Sequence, residues 1–269
     1  MLTAQESQNM IIDAIINQKP FSVGKLGADE SNNLFSLINH NFVSSRLTIF
    51  SGVFPLDEIT ISYFKKEYLK TLPNLDILLS WAQQWGEDQI LSHIKYNNYK
   101  TKDWKGIEPW FIDDNWTNYL GGKKILVVSS HVNSINHQYL NLDKIWNRRL
   151  FKNKFELYLL KAPLQPQFEQ YHNSWVETLE WLKQSIKEIN FDVLIVGAGA
   201  YGLPLAVEAK RLGKIGIHLG GSIQILFGLK GKRWDQWEEY QNIYNDYWIR
   251  PLDIDTPKQN YIIEEGCYW

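Results

Sequence analysis

Apolar residues recur along the chain in two alternating patterns. Thr3-Ala4-Gln5-Glu6 has the form of a capping box opening a helix, and Met10, Ile11, Ala14 and Ile15 fall on one face of that helix. Pro20 ends it, and residues 21–26 predict a first strand, which Gly27 breaks. Asp29 and Glu30 stand where the next helix starts, and Leu34, Phe35, Leu37 and Ile38 supply its apolar side. Residues 56–95 predict helix, with a second start near Asn74, and residues 96–124 are mixed and rich in turn formers. Short apolar runs at 125–128 and 155–160 predict strands. Residues 167–189 predict a long amphipathic helix, with Trp175, Leu179, Leu182 and Ile186 at spacings of three and four. A strand at 193–196, a helix to Leu212, a strand at 215–219 and a short helix at 222–227 follow. Strands alternating with helices predict an α/β fold, a mostly parallel sheet with helices on both faces. Ligands of such sheets bind at the carboxyl ends of the strands, so the loops after Leu26, Val128, Val196 and Leu219 are the candidate sites.

Composition narrows the function. The chain has 269 residues and a net charge of −2, which excludes the basic footprint of a nucleic-acid binder. Its single cysteine, Cys267, allows no intramolecular disulfide and suits a cytoplasmic location. The first residues lack the pattern of a signal peptide, and glycines and Pro204 interrupt the longest apolar stretch, so no transmembrane segment is expected. Aromatic residues reach 14%, with 12 Trp. That surplus supplies core packing, stacking faces such as Trp110 and Trp234, and material for a homodimer or a membrane-bound partner.

Gly197-Ala198-Gly199-Ala200-Tyr201-Gly202 matches G-x-G-x-x-G between a strand and a helix. Backbone N–H groups in that setting hold phosphates. The acid that a dinucleotide site needs about 20 residues on is missing, since Ile217, His218 and Leu219 stand there. A phosphate-cradling loop for a sugar nucleotide and a purely packing role for the glycines both remain open. A second turn, Gly220-Gly221, precedes Gln224 and a basic run, Lys230, Lys232 and Arg233, beside Trp234. Fixed cations near helix starts suit a diphosphate leaving group, and a solvated basic loop is the alternative. Asp29 and Glu30 are either oxygen ligands for a divalent cation or simple helix-start acids. Lys25 just before them faces either a ligand or an exposed edge. Glu108 and Asp113 are candidate general bases, and His131 follows the central strand.

The residues from Asp192 to Trp234, together with Gly24-Lys25-Leu26-Gly27-Ala28-Asp29-Glu30 and the tail Glu264 to Trp269, resemble the GT-D-like glycosyltransferase proteins of bacterial surface-polysaccharide gene clusters. The resemblance covers most of the chain. It implies a single Rossmann-like GT-D domain over 1–269, with a mainly helical insertion around 55–120. It implies transfer of a sugar from a nucleotide-diphosphate sugar to a glycan or lipid-linked hydroxyl acceptor. Manganese or magnesium would sit on an Asp-x-Glu pair. Glu30 falls on the Glu of that pair and Ala28 on the Asp, leaving Asp29 as the neighbouring acid, and Lys25 replaces the usual Arg. Carried onto this chain, Glu30, Glu108, Asp113 and His131 are the catalytic candidates. Lys25, Gly27, Gly197, Gly199, Tyr201, Gly202, His218, Gly220, Gly221, Gln224, Lys230, Arg233 and Trp234 are the donor-binding candidates, and Glu30 with Asp29 the metal candidates. An NAD(P)-dependent oxidoreductase and a non-catalytic nucleotide-sugar or glycan-binding protein are the alternatives.

Overall fold

The computed structural model describes residues 1–40, 42–164 and 166–269. Thr3 closes the first helix, α1 (Ala4–Ile16), reciprocally. Its hydroxyl accepts from the Glu6 N–H at 3.2 Å, and the Glu6 carboxylate accepts from the Thr3 N–H at 2.8 Å. Two of the donors that every helix start leaves open are thereby satisfied. β1 (Phe21–Lys25) leads into α2 (Ala28–Asn39), α3 (Arg46–Ser51) and α4 (Glu58–Thr71), where the Asp57 side chain accepts from the Thr60 N–H at 2.8 Å. Then come β2 (Ile77–Leu79), α5 (Glu87–His93), β3 (Tyr99–Thr101) and a run of short 3-10 turns. β4 (Lys124–Ser129), α6 (Val132–Tyr139), α7 (Leu142–Ile145) and β5 (Glu156–Lys161) follow. The last third holds α8 (Trp175–Glu188), β6 (Val193–Gly197), α9 (Gly202–Arg211), β7 (Ile215–His218), α10 (Ile223–Leu226) and α11 (Glu238–Gln241).

Among the described residues the strands form one sheet in the order β3-β2-β1-β7-β6-β4-β5, with every pairing parallel. Alternate residues feed two cores, as the two-residue period of a strand requires. Val23, Ile77, Val127, Ile195 and Ile217 pack with α1, α6 and α7 on one face. Leu78, Leu126, Val128, Leu194 and Val196 pack with α2, α4, α5, α8 and α9 on the other. Burial on both faces is what makes the central strands read as unbroken apolar runs. α9 lies across β1, β6 and β7, and it can do so because position 216 is glycine. A Cβ there would meet the Ala206 carbonyl oxygen at 2.0 Å.

Two expectations change. The span 55–120, mainly helical, also supplies β2 and β3, the two strands beyond β1. Ile77-Leu78-Leu79 is too short a run to show any period, so its burial on both faces is invisible to periodicity. The helix expected over 167–189 starts only at Trp175, because Ser174 caps it by accepting from the Glu177 N–H at 3.2 Å. The Ser174-to-Glu177 spacing is itself a capping signal.

All strands run one way, so their carboxyl ends share one rim. The chain leaves β1 for α2 on one face and leaves β7 for α10 on the other. These two strands are neighbours, and such a switch point opens a crevice between diverging loops.

Candidate active site

A cavity of about 450 Å³ occupies that rim. Every strand contributes to it through the residues at or just after its carboxyl end, from Lys25 after β1 to Gly221 after β7. The C-terminal residues Glu264, Tyr268 and Trp269 close one side. The volume suits a ligand of nucleotide size.

Three cations line this space, the exposed Lys105 and the more deeply set Lys25 and Arg233. The Lys25 ammonium lies 3.2 Å from a Glu108 carboxylate oxygen and 4.2 Å from the centre of the Trp104 ring. Burial pulls the Lys25 pKa down, Glu108 opposes the shift, and the Arg233 charge adds to it. Arg233 pairs with Glu264, approaches the Cys267 Sγ at 3.3 Å and sits 4.7 Å over the Tyr268 ring. Lys230 is not brought in: its ammonium lies over Tyr244 at 5.1 Å, outside the cavity lining. Lys232 donates to the Glu265 carbonyl oxygen at 3.0 Å.

The acids divide sharply. Glu30 lines the cavity but is buried, its carboxyl folded back over its own helix start. A Cβ on Gly27 would lie 1.9 Å from Glu30 Oε2, so position 27 must be bare for this fold-back. Burial pushes the Glu30 pKa up to about 7; Asp29 and Glu264 add to the rise, while the Glu30 N–H and the Ser51 hydroxyl oppose it. Asp29 is engaged by Arg46, whose Nε and Nη2 donate to its two oxygens at 2.7 and 3.3 Å. Ala28 brings no side-chain oxygen to this loop. Among the described residues no group of three or more His, Cys, Asp or Glu is arranged to hold a metal ion. Glu108 is buried beside Lys25 and borders the cavity. Asp113 is not a site residue: it is exposed, lies outside the lining, and offers its carbonyl oxygen to Asn115 and Asn118.

The glycine run packs closely against neighbouring loops. A Cβ on Gly197 would meet the Gly220 carbonyl oxygen at 2.3 Å, and one on Gly199 (φ +50°) the Ser51 carbonyl oxygen at 2.7 Å. Gly202 lies behind the cavity, where a Cβ would meet the His218 ring at 2.5 Å. Gly197, Gly199 and the buried Tyr201 still line the space. Gly220 (φ +60°) faces the Lys25 stem, and Gly221 lies under the Tyr268 ring.

His218 is wedged between Gly24 and Gly202, and burial, with Lys25 adding, pulls its pKa down to about 3. Burial also pulls His131 down to about 4, against Asp255. The His131 Nδ1 is 3.2 Å from the Ser130 hydroxyl, and its ring lies 5.9 Å from Trp269. The His131 Nε2 and the Gln224 Oε1 are buried and find no partner among the described residues. The Gln224 Nε2 donates to the Tyr268 carbonyl oxygen at 2.7 Å. The His218 Nδ1 is a third buried atom without a partner among the described residues, and all three side chains line the cavity.

Trp110 and Trp234 are buried, and Trp110 stacks on Trp146, so neither is a surface platform. The exposed aromatic faces at the rim belong to Trp104 and Trp237, 38% and 51% exposed. These, with Glu264, Tyr268 and Trp269, are the site residues that sequence reasoning passed over. The aromatic tail was visible, but nothing local says that it folds back onto β4 and β7.

No family model and no curated protein matches the chain. In overall fold it is similar to a solved glycosyltransferase (DUF1792) from Streptococcus sanguinis, with 13% identity, a TM-score of 0.49 and 94% of each chain covered. It is also similar to a selenomethionine-substituted domain of unknown function 1792, with 14% identity, a TM-score of 0.47 and 93% and 90% of the two chains covered.

Proposed function

We propose that this chain is a cytoplasmic glycosyltransferase that moves a sugar from a nucleotide-diphosphate sugar to a hydroxyl of a glycan or lipid-linked acceptor in surface glycan assembly. The observation that carries the reading is a pair of cations, Lys25 and Arg233, facing one cavity at the strand ends. A diphosphate leaving group develops negative charge, and fixed cations stabilise it where it forms. The sequence resemblance of the Asp192–Trp234 segment points the same way. A nicotinamide dinucleotide finds less support, because β7 ends at a neutral His218 where a ribose-holding acid would stand.

In the reaction the bond between the anomeric carbon and the diphosphate oxygen breaks, and the acceptor oxygen bonds to that carbon. The acceptor proton passes to the Glu108 carboxylate, and the nucleoside diphosphate leaves with both electrons of the broken bond. His131 Nε2 and Gln224 Oε1 meet hydroxyls of the transferred sugar, and Trp104 and Trp237 present flat faces to the acceptor. Release of nucleoside diphosphate from a panel of nucleotide sugars tests the reading. Glu108→Gln is expected to lower turnover by about 10²- to 10⁴-fold, as for loss of a general base. Turnover unaffected by this change removes Glu108 from the base role. A panel with no turnover and no binding removes the transferase.

A further inference from the structure

The acids of the first loop are occupied in a way that leaves a divalent cation few ligands. Hard cations need several oxygen ligands, with at least one or two carboxylates free to coordinate. Asp29 has both oxygens on the Arg46 guanidinium, Glu30 is buried and turned back over Gly27, and Ala28 brings no oxygen. The cations across the same cavity are arranged differently. The side chain of Lys25 is 13% exposed, its Cε 3.5 Å from where a Gly220 Cβ would stand, and Arg233 is near enough to disfavour its charge. Like charges facing one cavity are costly unless anions lie between them.

We propose that Lys25 and Arg233 hold the donor diphosphate directly, without a divalent cation. This rests on the donor reading above. In the free protein each cation is neutralised by one acid, Lys25 by Glu108 and Arg233 by Glu264. Phosphate oxygens replace those carboxylates with bonds of the same charge-assisted kind. One diphosphate bridges both cations and relieves their repulsion, which two separate acids do less well. The guanidinium fork of Arg233 suits two phosphate oxygens at once. The displaced Glu264 is 41% exposed and returns to water. The displaced Glu108 stays in the cavity.

Calorimetric titration of the intact chain with pyrophosphate and with the common nucleoside 5′-diphosphates, in excess EDTA and in saturating manganese, decides the matter. At least one nucleoside diphosphate is expected to bind in EDTA, with affinity within about threefold of that in manganese. Lys25→Met and Arg233→Gln are each expected to weaken that binding by about tenfold or more, as for loss of a charged hydrogen bond. Arg233→Lys keeps the charge and loses the fork, and is expected to fall between. Binding that needs manganese overturns the inference and leaves the donor reading standing. Binding in EDTA that both cation variants retain, with their thermal unfolding intact, also overturns it. No binding in either condition overturns the donor reading, and the inference with it. The wild-type comparison needs no variant, so a variant that fails to fold does not shield the proposal.

Discussion

A Cβ on Gly197 would press on the Gly220 carbonyl oxygen, and one on Gly202 on the His218 ring. Both contacts hold the loop after β6 against β7, and neither involves a ligand. The G-x-G-x-x-G pattern was therefore a signal of tight strand-to-helix packing at the rim of the cavity that Gly197 and Gly199 also line. Gly197→Ala is expected to lower unfolding free energy by about 1–3 kcal/mol, the range for forcing an extra methyl into a packed site. Urea unfolding of the pair measures it. The backbone at Gly220 must move to admit the methyl, and Gly220 faces Lys25, so nucleotide affinity should weaken in the same variant. An alanine tolerated at full stability would mean that the two loops are looser than this contact requires. Glu30 and Lys25 were likewise legible as strand-end polar residues, but their partners were not. Nothing near Asp29 in sequence announces Arg46, and nothing near Arg233 announces Glu264, because those partners arrive through tertiary folding.

At the scale of elements, legibility followed how local the cause is. α1 is set by Thr3 and Glu6, three residues apart, and the pattern placed its start correctly. The central strands β4, β6 and β7 are apolar runs bounded by turns, and they also stood out. β2 and β3 did not, since three residues each carry no period, and they are strands only because β1 offers an edge to pair with. Thr3→Ala tests the local end of this range. It removes the hydroxyl that accepts from the Glu6 N–H, and is expected to cost about 0.5–2 kcal/mol of unfolding free energy. The loss should appear in the urea midpoint with the slope unchanged, because the cap alters stability and not the surface exposed on unfolding. Turnover should be unaffected, for α1 packs on the core and contributes no residue to the cavity.

At the scale of the whole molecule, the cavity that gathers all seven strand ends also gathers groups whose burial opposes their charge. His131 and His218 titrate near 6.5 when free and at about 4 and about 3 in the fold, while Glu30 moves from 4.5 to about 7. Between pH 4.5 and 6.5 the unfolded chain takes up protons on two histidines that the folded protein leaves neutral. Over the same window the fold keeps one proton on Glu30 that the unfolded chain releases. The unfolded state thus binds about one proton more, and stability rises with pH at about 1.4 kcal/mol per unit. Glu87, raised by burial, and Glu180, lowered by the Tyr63 and Lys183 bonds that outweigh its burial, pull in opposite senses. Above 6.5 the unfolded histidines lose their remaining protons over the same range in which the folded Glu30 loses its own near 7, so the two changes nearly cancel. Unfolding free energies measured across this range should therefore rise from about pH 4.5 and level off near pH 7. Glu30→Gln should steepen that rise to about 2.7 kcal/mol per unit, because both histidine protons then go uncompensated, and His218→Asn should flatten it. A rise that Glu30→Gln leaves unchanged would mean that the carboxyl is charged in the fold, against its burial over Gly27. It would then be free to coordinate, so this titration bears on the metal question independently of any ligand.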